Sequence, residues 1–167
     1  LPHPDGRVTD SAMDGAVFRK LMGRFATGVT VITARAADGH LQGMTANSLT
    51  SVSLAPPLVL LCIDHRASMY RTLTEGRHFS VNILEASQEA LSRRFAGDHD
   101  DRFDGVGYRD SPRGLVLLDG ALAHLECERV ALHEAGDHTI VVARVLAGDA
   151  AEGRPLCYFR GGYAALA

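Results

Sequence analysis

From Gly43 to Leu61 the chain reads Gly-Met-Thr-Ala-Asn-Ser-Leu-Thr-Ser-Val-Ser-Leu-Ala-Pro-Pro-Leu-Val-Leu-Leu, which places hydroxyls and an amide in a stretch otherwise patterned as strand. Side chains alternate along a strand, so Thr45 and Asn47 can present polar groups on one face while Met44 and Ala46 turn inward. Such an edge can hold a polar ligand; the same residues also suit an ordinary β surface with a turn at Asn47-Ser48. Asp64-His-Arg-Ala-Ser68 offers a cation, a hydroxyl and the N–H groups of a helix start, a combination suited to a phosphate or to a capped, charged loop. Gly136-Asp-His-Thr139 falls at a hairpin tip, where His138 can face a cleft while Asp137 satisfies the turn backbone. Arg24-Phe-Ala-Thr-Gly-Val-Thr30 joins a helix to a strand, and Gly28 permits a close approach to a neighbour or ligand there.

Other chemistries find less support. Asp98-His-Asp-Asp101, with His124 and His133 elsewhere, matches no closed metal-ligand set, so no metal is expected. Neither a GxSxG elbow nor a GxGxxG fingerprint occurs. Cys62, Cys127 and Cys157 are odd in number, lack CxxC spacing and sit among apolar strand residues, the setting of buried reduced thiols. With 167 residues, 46% hydrophobic and 22% charged, and a formal net charge of −3, the chain reads as one soluble domain without a basic field for nucleic acid. No apolar run approaches the roughly 20 residues of a bilayer span, and Leu1-Pro-His-Pro-Asp-Gly6 does not read as a signal peptide, so no membrane partner and a cytoplasmic location are expected.

The elements that must position these groups follow from periodicity and turn chemistry. Residues 1–12 read as a flexible tail and 13–167 as a single domain. Phe18, Leu21, Met22 and Phe25 recur at i, i+3, i+4 and i+7, predicting a helix near Asp14 to Phe25 with one apolar stripe. Thr27 to Ala34 reads as a β-branched strand, and Asp38-Gly39 turns it into a hairpin with Leu41 to Asn47. The continuous apolar run Leu58 to Ile63 predicts a buried strand. Ser68 is expected to cap a short helix ending at Gly76, and His78 to Leu84 reads as a strand. Ser87 is expected to cap a second helix in which Leu91 and Phe95 pair before Gly97. Asp98 to Gly114 reads as a long polar loop. Ala121, Ala123, Leu125 and Cys127 alternate with Leu122, His124, Glu126 and Glu128, predicting a half-solvated strand. Thr139 to Leu146 and Pro155 to Phe159 supply two more, after turns at Gly136-Asp137 and Glu152-Gly153. Many antiparallel strands without a βαβ rhythm predict a mainly β barrel with short helical inserts.

An ordered series of segments then carries a resemblance. Arg24-Phe-Ala-Thr-Gly-Val-Thr-Val-Ile-Thr33, Gly43 to Leu54, Pro56-Pro-Leu-Val-Leu60, Phe79-Ser-Val-Asn-Ile-Leu84, Leu91-Ser-Arg-Arg-Phe-Ala-Gly97, Asp119-Gly-Ala-Leu-Ala123 and Gly136-Asp-His-Thr139 together resemble the flavin reductase family, the reductase components of two-component flavin monooxygenases. The resemblance runs from about Phe18 to Tyr163. It implies an FMN-binding split β-barrel, usually a homodimer with the flavin near the subunit interface. Such a protein uses NADH or NADPH to reduce FMN or FAD for a partner monooxygenase. It also implies that Thr45, Asn47, Ser48, Leu49, Thr50 and Ser51 contact the flavin, with Ala46 kept small. Cys62 and Asp64 would lie along the isoalloxazine edge, Arg66 and Ser68 near the phosphate, and Arg94, Phe95 and Gly97 on the far side. His138 is the implied catalytic residue beside the nicotinamide, with Gly136, Asp137, Thr139 and Tyr163 as its companions. Gly107 and the ending Arg160-Gly-Gly-Tyr-Ala depart from the family pattern. Two other readings remain beside this one: a flavin-binding split barrel without turnover, and a pyridoxamine-phosphate-oxidase-like oxidase.

Overall fold

The computed structural model describes residues 13–97 and 99–166; the predicted tail 1–12 and Asp98 of the acidic run lie outside the described residues. Helix α1 (Gly15–Met22) starts where Asp14 Oδ1 accepts from the N–H groups of Ala16 and Val17. Strands β1 (Thr27–Gly28) and β2 (Thr30–Arg35) are separate, although the sequence reads them as one. The break falls at Val29, whose N–H donates to Leu156 O and whose carbonyl accepts from Leu84 N, so the chain changes sheets there. The predicted hairpin joins β2 to β3 (Leu41–Ala46), and Gly39 has a φ of +86° at its turn. After β4 (Thr50–Leu54) and β5 (Pro57–Asp64) come α2 (Tyr70–Glu75), β6 (His78–Ile83), a 3-10 turn over Ala86–Gln88 and α3 (Glu89–Ala96). The rest is β7 (Tyr108–Asp110), β8 (Val116–Leu118), β9 (Ala123–Ala135), β10 (His138–Ala150), β11 (Cys157–Phe159) and β12 (Gly162–Ala164).

Seven strands form one antiparallel sheet in the order β3-β2-β6-β9-β10-β5-β4. Its two edge strands, β3 and β4, are consecutive in the chain and joined only by Asn47-Ser48-Leu49, so the sheet must curl until its edges meet. Register shifts between β9 and β10, and between β4 and β5, add the local twist that curling requires. Ile32, Leu61, Ile63, Phe79, Val81, Cys127 and Val141 consequently reach one core from five different strands, with Met69 and Leu73 of the α2 segment closing one end. β3 and β4 do not pair with each other among the described residues, which leaves the barrel split along that seam.

Several local expectations give way to tertiary contacts. Ser68 and Ser87 are not caps: Met69 and Gln88 precede α2 and α3 without a side-chain cap, and Glu85 accepts from Ser87 in a capping box with Gln88. The Asp98–Gly114 loop contains β7, which pairs with β8. That small hairpin covers the face of β9 expected to be solvated, so His124 and Glu126 are buried. Asn82, also buried, bridges the layers: its Nδ2 donates to Val31 O and Thr33 Oγ1, and its Oδ1 accepts from Leu118 N. Burial pushes the Cys127 thiol up to about 12, with the Glu126 carboxylate adding to the effect, while Cys62 is only half-buried, contrary to expectation. Among the described residues nothing lies within 4 Å of the position a Cβ on Gly28 would take, so no neighbour within the chain requires glycine there. No helix among the described residues is long and apolar enough to cross a membrane.

Candidate functional site

The seam is where the hydroxyl-rich segment lies. β3 is held at its end from both sides: Thr30 Oγ1 donates to Ala46 O at 2.7 Å, and Thr45 Oγ1 donates to Ser92 O of α3 at 2.6 Å. Met44 and Ala46 pack toward the core as expected. Across the seam, Ser48 Oγ donates to Cys62 O and accepts from Cys62 N, continuing by side chain the register in which Thr50 faces Leu60. The backbone N–H groups of Asn47, Ser48 and Leu49 meet no acceptor among the described residues, and neither does the exposed Asn47 amide. A short link pinned at both ends thus presents a row of donors.

Asn47 of that link lines a groove of about 470 Å³, within the range of small-molecule sites. One wall carries Arg66, Ala67, Ser68 and Arg102, the floor is Val29 with Met44 to Asn47, and Phe95, Ala96 and Gly97 face them from α3. Tyr158 and Tyr163 close the far end, edge to face with centroids 5.5 Å apart; Arg93 stacks 4.7 Å over Tyr163, whose hydroxyl meets Ser92 Oγ at 2.8 Å. At the cationic end, Arg66 donates through Nε and Nη2 to Asp64 at 3.1 and 2.9 Å. This pair, helped by the Arg66 backbone N–H, holds the Asp64 carboxyl well below the usual carboxylate range. Arg102 donates to Gly43 O, His99 O and Ser68 Oγ, and so ties the loop after α3 to both walls.

The groove gathers Thr45, Ala46, Asn47, Arg66, Ser68, Phe95 and Gly97 from the expected flavin set. Ser48, Leu49 and Thr50 line an adjoining groove of about 940 Å³ with Phe18, Met22 and Phe25, and Asn47 and Tyr158 belong to both. Ser51, Cys62 and Asp64 lie alongside on β4 and β5. Arg94 is spent behind the wall, donating to the carbonyls of Arg102 and Asp101. The expected nicotinamide set divides: Tyr163 lines the 470 Å³ groove, whereas Gly136, Asp137, His138 and Thr139 stand at the β9–β10 tip outside it. His138 is the cross-strand neighbour of both Ala135 and Asp64, and its Nδ1 donates to Asp137 Oδ1 at 2.7 Å. That contact lowers the Asp137 carboxyl. Thr139 faces the opposite way and is fully buried.

Arg102 and Tyr158 were not expected here. Arg102 belongs to a segment legible only as a long polar loop, and Tyr158 to a short strand, so neither carried a local signal. At Gly107 a Cβ would come within 2.5 Å of Asp119 Oδ2, the end of an exposed side chain that can turn aside. Cations with a hydroxyl at one end, an edge-to-face tyrosine pair at the other and the unpaired Asn47 between them fit a phosphate-bearing planar heterocycle such as a flavin.

Comparison with known proteins agrees with this chemistry. Residues 22–167 match the model of a flavin reductase like domain. The FMN reductase (NADH) SmoA of Agrobacterium fabrum is 42% identical over 146 residues, covering 87% of this chain and 83% of the relative. HsaB of Rhodococcus jostii, the reductase subunit of a flavin-dependent monooxygenase, is 36% identical over 97% of this chain and 83% of its own length. Among solved structures, the Streptomyces globisporus NADH:FAD oxidoreductase SgcE6, in complex with NAD and FAD fragments, superposes with a TM-score of 0.88. It is 41% identical over 92% of this chain and 93% of that one.

Proposed function

The chain belongs to the flavin reductase-like domain family, and from that membership we propose that it transfers hydride from NADH or NADPH to FMN or FAD and supplies the reduced flavin to a partner flavin-dependent monooxygenase. The observation that carries the reading is the seam groove, with cations at one end, tyrosines at the other and Asn47 on its floor, where it meets the adjoining groove lined by Ser48 and Leu49. A flavin bound there would supply the electron acceptor for hydride from the reduced nicotinamide.

The chain's own residues bind and orient. Arg66, Ser68 and Arg102 hold the phosphate, and the two hydrogen bonds from Arg66 to Asp64 orient that guanidinium in advance. The N–H groups of Asn47, Ser48 and Leu49 stabilise negative charge at the ring edge without reorganising, because both ends of the link are already pinned. Tyr158 and Tyr163 give the ring a wall stiffened by Arg93 and Ser92. His138 orients the nicotinamide from the rim: with Nδ1 donating to Asp137, a neutral ring presents Nε2 as acceptor to the carboxamide N–H.

The same reading makes the protein a homodimer. Phe18, Leu21, Met22 and Phe25 are all more than half exposed, α1 buries no residue, and the stripe borders the groove that holds Ser48, Leu49 and Thr50. A second copy covering that face would bring the seam of each chain to the interface. Three free cysteines and the use of reduced nicotinamide suit a cytoplasmic setting.

A flavin handed to another protein is a substrate that leaves, so the purified protein is expected to lose its colour on dialysis. It should then oxidise NADH or NADPH only when FMN or FAD is added, followed as loss of nicotinamide absorbance. No oxidation with any of the four pairings would overturn the reading in favour of a carrier, and yellow colour surviving dialysis would make the flavin a fixed prosthetic group.

A further inference from the structure

His65 lies between two residues at the groove rim, Asp64 and Arg66, yet its own contacts run to the β9–β10 hairpin and to Tyr70. Its backbone N–H donates to the carbonyl of Asp137 at 3.1 Å. Its Nε2 stands 3.2 Å from Thr139 Oγ1 and 3.2 Å from Glu134 Oε2, and its ring meets Tyr70 edge-on at 5.3 Å. The Thr139 hydroxyl in turn donates to Glu134 Oε1 at 3.0 Å and lies 3.1 Å from the Tyr70 hydroxyl. A hydroxyl has one proton and two lone pairs; once it donates to the carboxylate, it can only accept from the Tyr70 O–H and from a protonated Nε2 of His65. Every proton in this set of four side chains is then used, and Thr139 is locked inward.

Successive residues of a strand face opposite ways, so locking Thr139 inward turns His138 outward on the face it shares with Asp64. Asp64 is held by Arg66, which lines the groove. We propose that His65 is a positioning residue for the nicotinamide, clamping the Asp137-His138 tip to the rim of the flavin groove through Thr139, Glu134 and the Asp137 carbonyl. The proposal rests on the placement of His138 beside the nicotinamide argued above. His65 touches neither heterocycle; it sets where His138 stands relative to Arg66.

The test uses the full chain with NADH and FMN and reads KM for NADH, kcat, the Kd of FMN by fluorescence and Tm. His65→Ala is expected to raise KM for NADH about three- to tenfold, the scale of one lost neutral hydrogen bond, with the Kd of FMN unchanged. His65→Gln, whose amide N–H takes the place of Nε2–H, is expected to restore the parent KM. In a His138→Ala background the His65→Ala change should add nothing, because its effect passes through His138. Should His65→Ala not fold, Tyr70→Phe removes one proton of the same set and is expected to shift KM for NADH in the same direction. If His138→Ala raises KM and His65→Ala does not, the clamp is wrong and the placement of His138 stands. If His138→Ala changes neither KM nor kcat, that placement falls and the clamp with it. Full additivity of the two substitutions, or a parallel rise in the Kd of FMN, would make His65 a stability residue only and overturn the proposal.

Discussion

Gly43 stands on β3 where the Phe95 ring of α3 crosses the strand, and a Cβ there would lie 2.5 and 2.7 Å from two ring carbons and 3.3 Å from Phe103. Phe95 is 1% exposed, so the ring can yield only by shifting against its packed neighbours or into the groove it lines. Gly43→Ala is therefore expected to cost about 1–3 kcal/mol, as overpacking does. In a chain of this length that lowers Tm by about 2–4 °C for each kcal/mol, measurable by thermal unfolding. Because α3 also brings Phe95 and Gly97 to the groove, the Kd of FMN should rise in the same variant. A Tm equal to that of the parent would show that α3 shifts at no cost. Glycine's role here is a close approach between a strand and a helix far apart in sequence, which is why Gly43 reads from the sequence only as the start of a motif.

At the scale of elements, the β7–β8 hairpin depends on polar contacts with the strands beneath it. His124, on β9, faces acceptors with both ring nitrogens: Nε2 lies 2.8 Å from Leu118 O and Nδ1 2.7 Å from Asp149 Oδ1. Glu126, two residues along the same face, accepts from Ser111 Oγ at 2.9 Å and lies 3.5 Å from Arg113 Nη1. The His124 ring lowers the Asp149 carboxyl, and Arg109 adds to the effect. A carboxyl with a depressed folded value contributes stability that is fully present above its unfolded value of about 3.9 and is lost as pH falls through the lower folded value. Tm should accordingly fall more steeply below about pH 4 in the parent than in Asp149→Asn. The difference should shrink in high salt, since Asp149 is 56% exposed. Parallel Tm curves for the two proteins would remove the pair from the account. The alternation that makes β9 look half-solvated is real; what turns it inward is the hairpin, hidden in a loop whose polarity gives no sign of it.

At the scale of the whole molecule, helix α1 turns its apolar face away from the core. Apolar side chains at helical spacing normally mark the side turned to the core, yet here Phe18, Leu21, Met22 and Phe25 are exposed. Helix α1 is tied back to the body at its C-terminal end, where Arg160 N donates to Gly23 O. The parent is expected to behave in light scattering as a particle of twice the 17.9 kDa chain mass. Phe18→Asp and Phe25→Asp together should shift it toward the monomer and weaken flavin turnover, since Ser48, Leu49 and Thr50 share that groove. A parent that runs as a monomer at all concentrations would sink the dimer. Helical periodicity shows that a stripe seeks a partner, but it does not say whether that partner is the same chain.

Much of the plan was legible because its signals are local. Period-two and period-four patterns, the Asp38-Gly39 and Gly136-Asp137 turns and the C-cap glycines at 76 and 97 each depend on a few neighbouring residues and backbone preferences, and those elements appear where expected. The motif series likewise pointed to the family and to Thr45, Asn47, Arg66, Ser68 and Phe95, which meet in one groove. Strand order, the curl that brings β3 beside β4, and the arrival of Arg102 and Tyr158 at the groove were decided only by the tertiary structure. So was the division of the nicotinamide set between Tyr163 and the β9–β10 tip. These features depend on pairings between residues tens of positions apart, where burial and hydrogen bonding across the folded chain select the partner and no nearby residue records the choice.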